Sequence, residues 1–176
     1  MITPQELVQI AGSALEIEDR YILGCLAARG DCGGGLLKNQ NERYYQFTIW
    51  RQLMSRWDAK TEVQKHDLVI SCGNGERAAI EIKRWFSANG KRELSGIQRD
   101  ITKLGESKQC SQAFMMIISV NRPGGTDENL NYLQTKIPCL SRDGAKLYKF
   151  PTHDGNMSVE FWVGAWTIPK QSTPEK

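Results

Sequence analysis

Histidine is scarce in this chain, at two residues in 176, and cysteine is sparse and unpatterned. Cys25, Cys32, Cys72, Cys110 and Cys139 are odd in number, and no two stand in a Cys-x-x-Cys spacing. A disulfide framework and a structural zinc site are therefore not expected, and a reducing, cytoplasmic setting is. Long apolar runs are also lacking. Ala113 to Val120 is typical of the longest and falls well short of a bilayer span, so no membrane partner is expected. The opening residues, Met1 to Glu6, show no basic segment followed by an apolar one, and no signal peptide is read there. The glycines between Gly30 and Gly35 lack the Gly-Lys-Ser/Thr ending of a phosphate-binding loop, which argues against a nucleotide site.

What is present fits an ordinary globular protein: 40% apolar and 24% charged residues, on a chain long enough for one buried core. We read residues 1–176 as a single domain, with an N-terminal helical segment over 1–37, a core over 38–120, an extension over 121–169 and a polar tail over 170–176. The net charge of +3 is unevenly spread. Residues 1–37 sum to −3, residues 38–108 to +5 and residues 109–176 to +1. A basic middle is compatible with a polyanionic partner and equally with a solvated surface.

Periodicity orders the elements. Pro4, then Leu7, Ile10, Ala14 and Leu15, predicts a helix running through Leu26 and stopped by the glycines. A second helix is expected from about Asn41 to Trp57, with Phe47, Trp50, Met54 and Trp57 at helical spacing. Strands are expected at 60–64, 66–72 and 77–84, the last two joined by the Gly73-Asn74-Gly75 turn. A third helix over 94–106 carries the stripe Leu94, Ile97, Ile101 and Leu104. A buried strand over 113–120, a short helix over 128–135 and a late strand over 159–165 follow. The result is an α/β layered domain with a mixed central sheet flanked by helices.

The chemistry gathers at Asp67 and at Glu81-Ile82-Lys83. Alternation on a strand puts Glu81 and Lys83 on one face and Ile80 and Ile82 on the other. Leu68-Val69-Ile70 and Ala78-Ala79-Ile80 frame the carboxylates in apolar sequence, and a buried charge without a partner is expensive. Two carboxylates make a hard oxygen site suited to Mg2+, and a neighbouring lysine can orient or activate water, or stabilise charge on phosphorus. Cys72 reads as a small buried hydrophobe, and Trp162 and Trp166 as core packing rather than as a stacking surface.

His66-Asp67-Leu68-Val69-Ile70, a glycine turn, and Ala79-Ile80-Glu81-Ile82-Lys83 resemble the core motif of the PD-(D/E)xK nuclease superfamily, with His66 standing where the family's proline does. The resemblance covers roughly residues 40–120. It implies a restriction-endonuclease-like αβββαβ core and a metal-dependent nuclease, with DNA as the expected substrate and endonucleolytic cleavage the expected mode. Asp67 and Glu81 would hold Mg2+, with Mn2+ able to substitute. Glu42, at the start of the second helix, matches a glutamate that such proteins bring to the metal, and Lys83 would be the catalytic lysine. Gln98 and His66 are expected at the site's edge, while Arg99 and Lys103 are read as pointing away from the third helix's apolar stripe. Arg84, Lys91, Arg92 and Arg99 are expected to meet phosphates. A second copy or a partner protein would supply targeting. The alternatives are a silent nucleic-acid-binding or assembly module of the same fold, and an RNase or toxin-like effector.

The hairpin register decides whether such a site can form. A two-residue Asn74-Gly75 turn would set Asp67 opposite Ile82 and aim it away from Glu81. A three-residue Gly73-Asn74-Gly75 loop sets Cys72 opposite Glu76 and Asp67 opposite Glu81. It also stacks Leu68 with Ile80 on the core face, and this loop, or an equivalent one-residue bulge in either strand, is expected.

Overall fold

The computed structural model describes residues 1–31, 34–37, 41–63, 65–73, 75–86, 91–121, 128–141 and 144–170, without the side chains of residues 91, 92, 128 and 129. Among these, no helix is long and apolar enough to cross a membrane.

Helix α1 (Pro4–Ala27) begins at a capping box, in which Thr3 accepts from the Glu6 N–H and Glu6 reaches back to the Thr3 N–H. Helix α2 (Glu42–Leu53) is capped by Asn41, whose side chain accepts from the Tyr44 N–H at 3.0 Å. Its helical span stops at Leu53, short of Trp57, and its buried face is Tyr45, Thr48, Ile49 and Leu53. Phe47 and Met54, expected on the apolar spacing, stand 53% and 44% exposed instead. Three strands follow: β1 (Asp58–Val63), β2 (His66–Ser71) and β3 (Arg77–Trp85). Helix α3 (Lys91–Glu106) crosses to β4 (Gln112–Asn121), and then come α4 (Glu128–Lys136), β5 (Lys146–Asp154) and β6 (Met157–Thr167).

The six strands form one mixed sheet in the order β1-β2-β3-β4-β6-β5, antiparallel throughout except for the parallel β3–β4 pair. Strand β4 is the most apolar because it is buried on both faces. On one face Leu68, Ile70, Ile80, Ile82, Phe114 and Phe161 pack under α1 and α2. On the other, Val69, Ala79, Met115, Ile117, Trp162 and Trp166 pack under α3 and α4. Each such Leu, Ile or Phe contributes roughly 1.5–3 kcal/mol by leaving water. The two tryptophans are 1% exposed, with indole N–H groups on Asn121 and on the Ser141 carbonyl, so they are core residues.

The β2–β3 hairpin takes the three-residue register. Leu68 lies opposite Ile80 and Ile70 opposite Ala78. The Cys72 N–H donates to the Glu76 carbonyl at 2.9 Å and the Glu76 N–H to the Gly73 carbonyl at 3.0 Å. Gly73 and Gly75 have φ of 78° and 77°, in the left-handed region that glycine enters without penalty; Asn74 lies outside the described residues. Cys72 is half-buried at this end rather than enclosed.

Strand β5 has no counterpart in the sequence reading. Pro151 interrupts its alternation and argues against a strand. An edge position removes the objection: among the described residues β5 pairs with β6 alone, at the end of the sheet, where a missing N–H costs little.

Candidate active site

Strand β3 outruns β2. Their register closes at Leu68–Ile80, while β3 continues to Trp85 paired with β4 alone among the described residues. Asp67 and Glu81 therefore sit opposite one another where the two strands part. The Asp67 carboxylate takes the place of the lost ladder, accepting from the Ile82 N–H at 2.8 Å. Past this fork, α2 on one face and α3 on the other reach the open edge of β3. Lys83 fills the notch between them, 3.0 Å from Glu42 of α2 and 3.1 Å from Asp100 of α3.

Four carboxylates and two ammoniums make up the cluster. The Glu81 carboxylate, 1% exposed, has Lys103 Nζ at 2.7 Å and His66 Nδ1 at 2.7 Å on the same oxygen. The other His66 nitrogen lies 3.1 Å from Ser107 Oγ. Burial and the charges of Lys103 and Lys170 hold the His66 pKa below its ordinary value, so the contact with Glu81 is a hydrogen bond to a neutral ring rather than an ion pair. Lys103 also donates to the Lys65 carbonyl at 2.7 Å and lies 3.6 Å from Asp100. Glu42 spends its second oxygen on the Arg84 N–H at 3.2 Å, which ties the start of α2 to β3. Asp100 is buried, and its Oδ2 has Lys83 as an ionic neighbour but no bond of hydrogen-bonding geometry.

The ionisation of these groups follows from that crowding. Burial, with a further contribution from Asp67, pushes Glu81 up to about 8 against the pull of Lys103. Asp67 is raised as well, by burial first, although the Ile82 N–H and Lys83 pull it down. For Lys83, burial favours the neutral amine, but the hydrogen bond and charge of Glu42, with Asp100, outweigh it and hold its pKa above the ordinary value. Lys83 is thus an ammonium at any working pH. With His66 neutral, four carboxylates face two cations, and the ionised cluster would carry an excess of two negative charges.

A divalent cation fits that excess. Asp67 and Glu81 share a face and offer hard oxygens, Asp67 raises the proton affinity of Glu81, and Asp100 adds a buried carboxylate held by Lys83. Among the described residues no group of three or more His, Cys, Asp and Glu side chains is arranged to hold a metal. The reason is local: Glu42 is turned onto Lys83 and Arg84, and His66 is engaged by Glu81 and Ser107. Two carboxylates with substrate oxygens and water are nevertheless a usual Mg2+ set.

The remaining expected residues are divided. His66 is in the cluster. Gln98 is exposed on α3, and Arg99 is exposed beside it. Arg84 presents its backbone to Glu42 and its guanidinium to the Phe86 ring at 4.8 Å. The side chains of Lys91 and Arg92 lie outside the described residues. Asp100 and Lys103 were the residues not assigned to the site, Lys103 because it was read as pointing away. The wheel held a signal: Gln98 and Asp100 lie on opposite flanks of the Ile97–Leu104 stripe, and Lys103 is one turn from Asp100 on its flank. Its four-carbon stem then brings the ammonium back to the sheet. No family model matches this chain, and no curated protein or solved structure matches it either.

Proposed function

We propose that the protein is a metal-dependent nuclease in which Asp67 and Glu81 hold Mg2+ and Lys83 serves the attacked phosphate. The run α2-β1-β2-β3-α3-β4 follows the helix, three strands, helix, strand order of the PD-(D/E)xK core, which supports a restriction-endonuclease-like arrangement. The observation that carries the reading is the fork itself: Asp67, the Glu81 whose proton affinity it raises, and Lys83 gather where β2 and β3 part. When bound, a divalent cation there supplies Lewis acidity toward a phosphoryl oxygen and acidifies water.

The chain's own residues do the rest. Lys83, kept protonated by Glu42 and Asp100, acts as a hydrogen-bond donor and a fixed positive charge. It orients water and stabilises negative charge developing on the phosphate, and it does not act as a base. Glu42 holds Lys83 in the notch and lies near enough to raise the Asp67 pKa, so it would be placed to assist at the metal through water. Lys103 lies 2.7 Å from a Glu81 oxygen and would have to release it for Glu81 to serve as a metal ligand. His66 orients the Glu81 carboxylate. A silent module of the same fold is the rival, favoured by one feature, the engagement of Glu81 by Lys103 and of Glu42 by Lys83. Incubating the protein with plasmid, linear duplex, single-stranded DNA and RNA under Mg2+, Mn2+ or EDTA separates the two. The nuclease cleaves at least one DNA substrate with metal and none with EDTA. Cleavage of RNA alone moves the substrate to RNA, and no cleavage of any substrate contradicts the enzyme.

A further inference from the structure

A cleft of about 260 Å³ opens beside the fork, between α2 and the β1–β2 hairpin. Its lining is Arg43, Gln46, Phe47, Thr61, Glu62 and Asp67, so it shares a wall with the candidate metal carboxylate. Two features here cost the fold something it does not recover. Phe47 is a large apolar ring 53% exposed, held 5.3 Å from Trp50, which is itself pinned by an indole hydrogen bond to the Ala59 carbonyl. Glu62 occupies the left-handed region at φ 54° without being glycine, in β1 between Thr61, paired with Leu68, and Val63, paired with His66. Strained backbone of this kind persists where surrounding structure imposes it and gathers at ligand sites.

Resting on the nuclease reading, we propose that this cleft takes an unpaired nucleobase next to the scissile phosphate, stacked on Phe47, and that the substrate is single-stranded nucleic acid. The charge pattern chooses base over backbone. Setting aside Asp67, which the nuclease reading gives to the metal, the lining pairs the Glu62 carboxylate with the Arg43 guanidinium and offers a phosphate no net positive charge, whereas a neutral base needs none. Gln46 and Glu62 offer donors and acceptors to a base edge. A base within a duplex is stacked on both faces and cannot present one to Phe47, whereas an unpaired base can, and stacking of this kind is tolerant of sequence.

The test is fluorescence anisotropy of a labelled single-stranded 12-mer and of its blunt duplex, with EDTA and with Mg2+, alongside cleavage of both, for the wild type, Phe47→Ala and Phe47→Trp. The single strand should bind more tightly than the duplex. Phe47→Ala should weaken single-strand binding by roughly tenfold or more, the scale of one lost aromatic stack. Phe47→Trp should keep it, and duplex binding should not change. Phe47 is exposed, so the fold tolerates both substitutions, and circular dichroism verifies this. Metal-dependent cleavage with Phe47→Ala binding and cutting as the wild type does overturns the base subsite and leaves the nuclease standing. Phe47-dependent binding without cleavage of any substrate overturns the nuclease and leaves the subsite. Absence of binding to either probe overturns both.

Discussion

Glu81 is a carboxylate that folding makes hard to ionise: burial raises its pKa from 4.5 to about 8, and Asp67 adds to the shift. The folded state therefore binds more protons than the unfolded state between these values, and its stability falls as pH rises through that window. Glu81→Gln removes the effect. In EDTA, the melting temperature of the variant should gain on that of the wild type from pH 5 to pH 8.5, and a constant difference would show that Glu81 ionises normally. Lys83 has the opposite character. Its charge is fixed by two acids, so Lys83→Met should slow cleavage by roughly two to three powers of ten, the scale of losing one charge-stabilising donor. The same variant should melt lower because Glu42 and Asp100 lose their cation. Lys83→Arg should restore little of the rate, since a planar fork does not reproduce a point charge in that notch. Asp67, Glu81 and Lys83 could be placed near one another from residue type and strand alternation, and Glu42 from the resemblance and its place at the start of α2. Lys103 could not, because a long flexible stem lets its ammonium lie far from the helix face that its Cα occupies.

The hairpin and the helices show which parts of an element a pattern can reach. Asn74-Gly75 alone suggests a two-residue turn, but the apolar faces of β2 and β3 align only with a three-residue loop, and the core prevails. Gly75→Ala should then destabilise the protein by about 1–2 kcal/mol, the cost of a left-handed Cβ, with no clash to add. Metal-dependent activity below the melting transition should persist, since the register does not depend on that residue. Urea denaturation and a cleavage assay check the two halves; lost activity in a fully folded variant would mean that the loop itself sets the register. Along α2 and the turn after it, Phe47 and Met54 face solvent while Trp50 and Trp57 lie half-buried against the core, because Tyr45, Ile49 and Leu53 form the stripe nearer the sheet. Two apolar stripes on one helix are ambiguous until the partner is known. Strand β5 was hidden for a different reason: Pro151 is tolerated only because the strand ends the sheet, and edge position is a property of topology, not of local sequence.

Across the whole molecule, the first helix clamps the last strands. A Cβ on Gly12 would come within 2.2 Å of the Tyr148 ring, so α1 and β5 can meet only because that position is glycine. Gly12→Ala should lower the stability of the entire domain by roughly 1–3 kcal/mol in a single urea transition, as overpacking does. A separate early transition would instead mark α1 as an appendage. The same α1–α2 layer sets the height of Glu42 over β3, so the candidate site depends on packing contributed by both ends of the chain. Its central property is a buried acidic cluster in which burial and Asp67 keep Glu81 protonated up to about pH 8, and we propose that Asp67 and Glu81 would hold a divalent cation there. Calorimetric titration of Mg2+ and Mn2+ into the protein at pH 7, in two buffers of different ionisation heat, tests this most directly. The account predicts one site, with protons released as Glu81 ionises, absent from Asp67→Asn and Glu81→Gln. No binding at millimolar ion, or binding unchanged in both variants, would contradict it.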